Sequence, residues 1–378
     1  MNTDEAAKRQ VLASSRRWVV KIGSALATQH GVGLDLAAIE DWAAQLATIR
    51  RAGTDIIVVT SGAVAEGAAR LNWSSRPNSL NQLQAAAAIG QMGLVRSWDL
   101  AFSRCGVLAA QILLTHDDIA NRERYLNSRS TLLTLLQLGV VPVINENDTV
   151  ATEEIKLGDN DTLAGMVSNL VDADLLIILT DQSGLMSTDP RLDPAAKLIT
   201  RAELDDPQIM AMAGGGGEWG RGGMRTKISA ARLAARSATS TIIAGGRQPA
   251  VLSAIAQGQQ VGTLFVAPTT KLAARKQWLA STLHVRGVVR LDEGACRVLR
   301  EQGKSLLAVG VAGVEGRFER GELVSCVDPN GVELARGLAN YSAAETQLIM
   351  GAPSSRFEEI LGYLRDLELI HRDNLALV

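Results

Sequence analysis

The sequence predicts an α/β protein in which a parallel-rich sheet is sandwiched by helices and followed by a small, mostly-β C-terminal domain. Short runs of nearly continuous apolar residues alternate with stretches of helical periodicity, which is typical of parallel strands buried on both faces. Polar residues follow directly where these runs end, as expected at the carboxyl edge of such a sheet. Beyond residue 284 the pattern changes to short β-runs separated by glycine.

Length and composition agree with this class. A chain of 378 residues is too long for one ordinary core, so we expect at least two domains. A hydrophobic share of 47% with 21% charged residues is typical of a globular protein. The formal charge of −2 gives no overall attraction to nucleic acid or to an anionic membrane. No apolar run approaches the ~18 residues of a membrane span, so we expect no membrane association.

The cysteines and the N-terminus indicate a cytoplasmic protein. Cys105, Cys296 and Cys326 are odd in number and widely separated, which predicts reduced, buried thiols. The alternative to a purely structural role is that one of them is a catalytic cysteine. The first 17 residues are polar and lack an apolar segment. We therefore expect 1–17 to be a disordered leader rather than a signal peptide.

The first domain is predicted over 18–268. Its expected strands are Trp18–Ile22, Asp55–Thr60, Val107–Leu114, Val140–Ile144 and Asp174–Asp181. Asp35 is a candidate cap for a helix whose apolar residues recur at spacings of three and four, namely Ile39, Trp42, Leu46 and Ile49. Further helices are expected over Leu80–Phe102 and Arg122–Leu138, from near Asp161, and from Met224 with Lys227 in its first turn.

The remaining chain is predicted to be a linker over 269–283, with a helix at Lys271–Trp278, and a second domain over 284–378. Its expected strands are Val285–Leu291, Leu306–Val311, Glu322–Val327 and Val332–Leu338, and its last helix is Arg356–Leu364.

Charged and polar residues cluster at one predicted edge of the first sheet. Lys21 ends the first strand, Ser61 and Gly62 follow the second, Asp148 and Asp161 flank the loop after the fourth, Thr180 and Asp181 end the fifth, and Lys227 opens a helix. The tight turn at Ser61 and the glycine-opened helix before Lys227 both leave backbone N–H groups free for an anion. Any one of these residues alone is most simply a solvated rim residue, but six positions at one edge favour a site.

The residue types favour phosphoryl transfer. No Ser-His-Asp or Cys-His set and no metal-ligand spacing among the four histidines is evident. Phosphoryl transfer needs no protein nucleophile, because it depends on cations along the phosphates, Mg²⁺ and an aligned acceptor. We expect Lys21 and Lys227 to stabilise the migrating phosphate and Asp161 to hold both ammonium groups.

Two suggestive motifs are coincidental. Gly215 to Gly220 matches the spacing of a dinucleotide fingerprint but follows a helical stretch rather than a strand. His371-Arg372-Asp373 lies too close to the C-terminus for a protein-kinase catalytic loop.

Six motifs, in order, resemble those of the glutamate 5-kinase family in the amino-acid kinase superfamily. They are Val19–Ser24, Val59–Ala63, Val141–Asp148, Gly158–Asp161, Leu179–Leu185 and Gly222–Lys227. The resemblance covers nearly the whole chain from Trp18. It implies ATP-dependent phosphorylation of the side-chain carboxylate of L-glutamate to L-glutamyl 5-phosphate, the first step of proline synthesis, with Mg²⁺ as cofactor and proline as feedback inhibitor. The C-terminal segment, with Asp292–Ala295 and Phe318–Gly321, resembles a PUA domain.

The resemblance also implies roles for individual residues. The catalytic residues would be Lys21, Asp161 and Lys227. The residues that bind ATP would be Lys21, Thr180, Asp181, Arg221, Gly222, Gly223, Met224, Arg225, Thr226 and Lys227. The residues that bind glutamate would be Ser61, Asp148 and Asn160. The metal ligands are not identified. Arg221 and Arg225 depart from the family pattern, which often has Thr and a small residue there.

The resemblance implies a homo-oligomer, a dimer or tetramer, and a partner in the next enzyme, glutamate-5-semialdehyde dehydrogenase. The acidic loop favours a free amino acid, since Asp148 and Asp159 attract an α-ammonium group and an N-acyl analogue would leave them unpaired.

Two alternatives stay open. One is another kinase of the same fold acting on aspartate or a phosphorylated metabolite, although an aspartate kinase would be expected to end in βαββαβ regulatory units. The other is RNA binding through the C-terminal domain. From His284 to Val378 there are 11 Lys and Arg against 14 Asp and Glu, so we expect no RNA binding.

Overall fold

The computed structural model describes residues 3–29, 31–73, 75, 77, 79–151, 160–189, 193–213, 223–268 and 285–377. The chain forms two compact units. The first comprises Met1–Ile119 and Arg129–Thr269, and the second comprises Ala120–Ser128 and Thr270–Val378. The predicted linker, 269–283 with its helix Lys271–Trp278, lies outside the described residues.

The strands up to residue 268 are β1 (Arg17–Ile22), β2 (Thr28–Gln29), β3 (Val32–Leu34), β4 (Asp55–Val59), β5 (Ala109–Leu114), β6 (Val141–Glu146), β7 (Leu175–Thr180), β8 (Arg201–Ala202), β9 (Ser240–Gly245) and β10 (Thr263–Phe265). The helices are α1 (Thr3–Ala13), α2 (Ser24–Ala27), α3 (Leu36–Arg51), α4 (Ala63–Arg70), α5 (Leu80–Arg104), α6 (His116–Ala120), α7 (Arg122–Gln137), α8 (Asp161–Leu170), α9 (Gln208–Met212), α10 (Met224–Ala235) and α11 (Val251–Ala256).

The main sheet of the first unit is mostly parallel, as predicted. Among the described residues it contains eight strands in the order β5-β6-β4-β1-β7-β9-β10-β8. β1 lies in the middle and pairs in parallel with β4 and β7, whereas β10 runs antiparallel to β9. The five predicted strands are present, with their ends moved by no more than two residues. β8 to β10 were not predicted.

Helices cover both faces of this sheet. Trp18, Val20 and Ile22 of β1 join a core with Trp42 of α3 and Trp98 of α5. Since side chains alternate along a strand, Lys21 points to the opposite face, where α8 contacts β1 and packs against α10. The alternation of β1 thus places Lys21 in the buried space between the sheet and these helices.

Local signals in the sequence position two of these helices. Asp35 caps α3, because its carboxylate accepts a hydrogen bond of 3.1 Å from the Ala38 N–H. Gly223 precedes the first residue of α10 in an extended conformation, so Lys227 lies in the first turn. Both placements confirm the prediction.

The second unit contains the predicted small, mostly-β domain. Its strands are β11 (Gly287–Leu291), β12 (Val311–Gly316), β13 (Leu323–Val327), β14 (Glu333–Leu338) and β15 (Leu375–Leu377), and its helices are α12 (Glu293–Gln302), α13 (Ala343–Ile349) and α14 (Phe357–Leu361). The five strands that are described form one sheet in the order β12-β11-β13-β14-β15.

Several elements of this unit differ from the prediction. The strand predicted over Leu306–Val311 begins only at Val311, because a 3-10 turn occupies Ala308–Gly310. The helices α12 and α13 and the strand β15 were not predicted. The sequence did carry a signal for α12, because the Asp292 carboxylate caps it by accepting a 2.6 Å hydrogen bond from the Ala295 N–H.

Cys296 and Cys326 of this unit are buried, as predicted, whereas Cys105 of the first unit is only partly buried. Burial raises the pKa of the Cys326 thiol to about 12. Burial also raises the pKa of Cys296. Thiols that stay protonated at neutral pH are poor nucleophiles, which argues against a catalytic cysteine here.

The expected disordered leader is wrong, because Thr3–Ala13 form α1. The helix is held by polar contacts instead of an apolar stripe. The Arg9 guanidinium is 2% exposed and donates to Glu5 at 2.9 Å and to the backbone oxygens of Val261, Thr200 and Gly262 at 2.8, 2.7 and 3.2 Å. These acceptors lie at the β8 and β10 edge of the sheet, so hydrophobic periodicity gave no signal of this helix.

Within the described part of the chain, no helix combines the length and hydrophobicity needed to cross a bilayer.

We predict that Arg9→Ala lowers the stability of the first unit by about 3–5 kcal/mol, because it leaves the Glu5 carboxylate buried without its cation. This corresponds to a fall in melting temperature on the order of 10 °C by calorimetry. Lys8→Ala, an exposed change on the same helix, is the control and should change stability by less than about 0.5 kcal/mol.

The pH dependence follows from Glu5. Burial alone would raise its pKa, but hydrogen bonds from Arg9, Gln260 and Thr200 outweigh burial and hold the pKa below its ordinary value of 4.5. The pair therefore stabilises the fold above that value and loses its effect as the pH falls through the lowered pKa. The difference between wild type and Arg9→Ala should narrow on acidification, and a constant difference would contradict this assignment.

Candidate functional site

Three predicted site residues meet in the interior of the first unit. The two carboxylate oxygens of Asp161 are shared between two lysines: Oδ1 pairs with the Lys21 ammonium, and Oδ2 lies 3.0 Å from Lys227 Nζ. Asp161 is fully buried, and the two lysines are 3% and 6% exposed. The structure therefore brings together two cations that lie far apart in the sequence.

Each of the three side chains comes from a different element. Lys21 extends from β1 in the middle of the sheet, Asp161 is the first residue of α8, and Lys227 lies in the first turn of α10. Thr226 completes the group, because its hydroxyl donates to Asp161 Oδ2 at 2.9 Å. A carboxylate at a helix N-terminus is also favoured by the helix dipole.

The charge balance of this cluster favours an anion. Two ammonium groups share one carboxylate, so the cluster carries a net positive charge in a region shielded from water. The N-terminus of α10 adds a partial positive charge nearby. An anionic group that approaches these lysines would be stabilised more strongly than at an exposed surface.

A second group of predicted residues lies at the ends of β4 and β6. Ser61 and Gly62 form the turn from β4 into α4, and Gly62 has φ of +121°, a conformation that other residues rarely adopt. The turn is braced by α5, since a Cβ on Gly90 would lie only 1.9 Å from the Ala63 carbonyl oxygen. Ser61 is 9% exposed.

Asn160 connects the two groups. It directly precedes Asp161, and its Nδ2 donates to the Thr60 carbonyl at 2.6 Å and to Asn145 Oδ1 at 2.8 Å. Asn145 Nδ2 in turn donates to Gln91 Oε1 at 2.8 Å. Buried amides therefore run from α5 to the residue next to the charged cluster.

The predicted nucleotide residues that the structure describes lie at the same edge of the sheet. Thr180 ends β7, the strand beside β1, and its hydroxyl donates to the exposed Asp181 carboxylate at 2.9 Å. Gly223 and Met224 begin α10, and Arg225 is exposed. Arg221 and Gly222 lie outside the described residues.

Asp148 lies in the turn after β6 and is half-buried. This turn is attached to the neighbouring strand, because the Asn147 N–H donates to the Leu114 carbonyl at 3.0 Å. The rest of the acidic loop, 152–159, lies outside the described residues.

Sequence reasoning missed the supporting side chains of α5. Gln91 contacts Asn145, and Trp98 Nε1 donates to the Thr60 hydroxyl at 3.1 Å. A glutamine on a long helix is ordinarily a surface residue, so its type alone gave no signal. The spacing of seven residues between Gln91 and Trp98, which places them on one helix face, was the available clue.

Comparisons with known proteins cover both units. The model of the amino acid kinase family matches residues 16–245, and that of the PUA domain matches residues 287–361. The glutamate 5-kinase of Stutzerimonas stutzeri (strain A1501) is 58% identical over 371 residues, covering 98% of this chain and 100% of that protein. The glutamate 5-kinase of Methylococcus capsulatus is 59% identical over 370 residues, covering 98% of this chain and 99% of that protein.

A solved UMP kinase from Bacillus anthracis is more distant. It is 16% identical with a TM-score of 0.47, covering 68% of this chain and 97% of that chain, and it supports no functional inference.

We predict that Asp161→Asn destabilises the first unit by about 3–5 kcal/mol, because two buried ammonium groups lose their counter-charge. Chemical denaturation measures the change. Asp205→Asn, at an exposed position, is the control and should be close to neutral. Equal stability of the two variants would show that the lysines do not depend on Asp161.

Proposed function

This chain belongs to the glutamate 5-kinases of the amino acid kinase family, and from this premise we propose how its residues perform the reaction. The chain transfers the γ-phosphoryl group of ATP to the side-chain carboxylate of L-glutamate, which is the entry to proline synthesis. The observation that carries our assignment of roles is the sharing of Asp161 between Lys21 and Lys227.

The reaction needs little from the protein beyond position and charge. An oxygen of the glutamate side chain attacks the γ-phosphorus, the bond to the β,γ-bridging oxygen breaks, and ADP leaves with that electron pair. The products are ADP and an acyl phosphate. A carboxylate with a pKa near 4.3 is already ionised at neutral pH, so no general base is required.

We assign the catalytic roles to the charged cluster. Lys21 and Lys227 stabilise the negative charge of the transferring phosphoryl group, and each is expected to contribute about 10²–10³-fold in rate. Asp161 keeps the two ammonium groups apart and in position, with Thr226 fixing the orientation of its carboxylate. The ion pairs hold both ammonium groups in place, so little reorganisation is needed as charge develops on the phosphoryl group.

We assign ATP to the edge formed by β7 and the start of α10. Thr180, Asp181 and the Arg221–Lys227 segment bind the nucleotide, with Lys21 and Lys227 on its terminal phosphate. Mg²⁺ bound to the phosphates would supply further charge neutralisation. Across the described ranges, no group of three or more His, Cys, Asp or Glu could hold a metal ion. Mg²⁺ does not require such a group, because it usually keeps water and phosphate ligands and takes only one or two carboxylates.

We assign L-glutamate to the opposite side of the charged cluster. Ser61, Asp148 and Asn160 bind it, with the negative Asp148 placed to attract the α-ammonium group. Neutral amides such as Asn145 and Asn160 line this region without repelling the two carboxylates of the substrate. An N-acylated analogue has no ammonium to neutralise Asp148, which favours the free amino acid.

The remaining properties are proposed from family membership. They are inhibition by proline, assembly into a homo-oligomer, a cytoplasmic location, and cooperation with the dehydrogenase that consumes the unstable acyl phosphate. Residues 287–361 match the PUA domain. An aspartate kinase would be expected to carry βαββαβ regulatory units in this part of the chain.

We predict that the chain, supplied with ATP and Mg²⁺, forms an acyl phosphate from L-glutamate that hydroxylamine traps as a hydroxamate. N-acetylglutamate and L-aspartate should give at least about tenfold lower kcat/KM, because each loses interactions that position the acceptor. The measurement is the colorimetric hydroxamate assay with the three acceptors in parallel.

Lys227→Ala should lower kcat in the same assay by about 10²–10³-fold. Its melting temperature is measured alongside, so that loss of activity can be separated from loss of fold. An acceptor order that places N-acetylglutamate first, or full activity of a folded Lys227→Ala, would refute the proposal.

A further inference from the structure

One face of α5 is directed at the amino-acid side of the site. Gln84, Gln91 and Trp98 are spaced seven residues apart and therefore lie on the same side of the helix. Gln84 Nε2 donates to the Ala151 carbonyl at 3.1 Å, Gln91 accepts from Asn145, and Trp98 donates to the Thr60 hydroxyl. Each side chain fixes a different segment around the proposed glutamate position.

The Thr60 carbonyl oxygen determines which amide atoms donate and which accept in the hydrogen-bonded chain of Asn160, Asn145 and Gln91, which we call the amide chain. The Thr60 carbonyl can only accept, so the Asn160 atom 2.6 Å away must be Nδ2. The same Nδ2 faces Asn145, which must therefore present Oδ1, and Asn145 then presents Nδ2 to an oxygen of Gln91. Gln91 is needed as an acceptor at the far end of this chain.

The arrangement determines what Asn160 can offer a ligand. Both hydrogens of its Nδ2 are used within the protein, so only its Oδ1 can bind a ligand, and only as an acceptor. Asn160 also occupies the N-cap position of α8 without its side chain capping the helix. Its side chain, 6% exposed, is committed to the amide chain instead of the usual capping role.

We propose that Gln91 is a positioning residue for the amino-acid substrate: by accepting from Asn145, it holds Asn160 with its oxygen directed to the substrate's α-ammonium group. This inference rests on the proposed function. Gln91 acts through Asn145 and Asn160 and does not itself touch the substrate. Its effect is specific to ligands that carry an ammonium group, because a ligand without one has nothing to donate to Asn160 Oδ1.

The test compares three substitutions of Gln91. The Met side chain of Gln91→Met has a similar length but lacks a strong acceptor. The Asn side chain of Gln91→Asn keeps the amide but is one methylene shorter, so its oxygen cannot reach the same position. Gln91→Glu retains an acceptor oxygen at the original distance. Gln82→Met is the matched control, because Gln82 is exposed on the same helix and bonds locally to Ser79.

The readouts are the KM for L-glutamate, the KM for ATP, kcat, and the inhibition constant of glutarate, which is glutamate without its α-amino group. In Gln91→Met and Gln91→Asn, we expect the KM for L-glutamate to rise about tenfold, the effect of one lost hydrogen bond to a charged group. The KM for ATP and the inhibition constant of glutarate should stay within about twofold. Gln91→Glu should restore the KM to within about threefold of wild type, and Gln82→Met should match wild type.

Two results would overturn the inference. One is an unchanged KM for L-glutamate in both Gln91→Met and Gln91→Asn. The other is an equal loss of affinity for L-glutamate, glutarate and ATP, which would indicate general distortion of the fold. The wild-type reaction separates the two proposals: no hydroxamate from wild type refutes the function, whereas an active wild type with insensitive Gln91 variants refutes only the role of Gln91.

Discussion

The first unit is built around a carboxylate that neutralises two buried ammonium groups. Burying a lysine in a sheet interior is costly unless its charge is paired, and Asp161 is the partner of both Lys21 and Lys227. This requirement fixes the relative positions of β1, α8 and α10, because each must deliver one side chain to the same point. In the mechanism that we propose, the stability of the fold and the chemistry of phosphoryl transfer depend on the same three residues.

The charged residues and the neutral polar residues of the candidate site lie in different parts of it. In the proposed mechanism the ammonium groups face the transferring phosphoryl group, whereas the region proposed for the amino acid contains the amides of Asn145 and Asn160. Amides can bind both ends of a zwitterion without repelling either. The division also explains why α5 contributes glutamine and tryptophan, whose hydrogen bonds orient neighbouring groups without adding charge.

Much of this could be predicted from the sequence, for physical reasons. Parallel strands buried on both faces leave continuous apolar runs, so a charged residue near the end of a strand, such as Lys21, is conspicuous by contrast. The helix α1 could not be predicted, because Arg9 is buried by hydrogen bonds to backbone oxygens of residues far along the chain. Short strands such as β10 carry too few residues to show a period, and Gln91 has the residue type of a surface position. Long-range polar contacts leave no local pattern.

The order in which the chain is synthesised has a consequence for the buried charges. Lys21 leaves the ribosome long before Lys227, and at about 5–20 residues per second the interval is about 10–40 s. Arg9 is likewise synthesised long before Val261 and Gly262, whose backbone oxygens accept its hydrogen bonds. During translation the growing polypeptide therefore carries cations whose final partners do not yet exist. A prematurely terminated product that ends before α10 would keep this defect permanently, which would make it a ready target for proteolytic quality control.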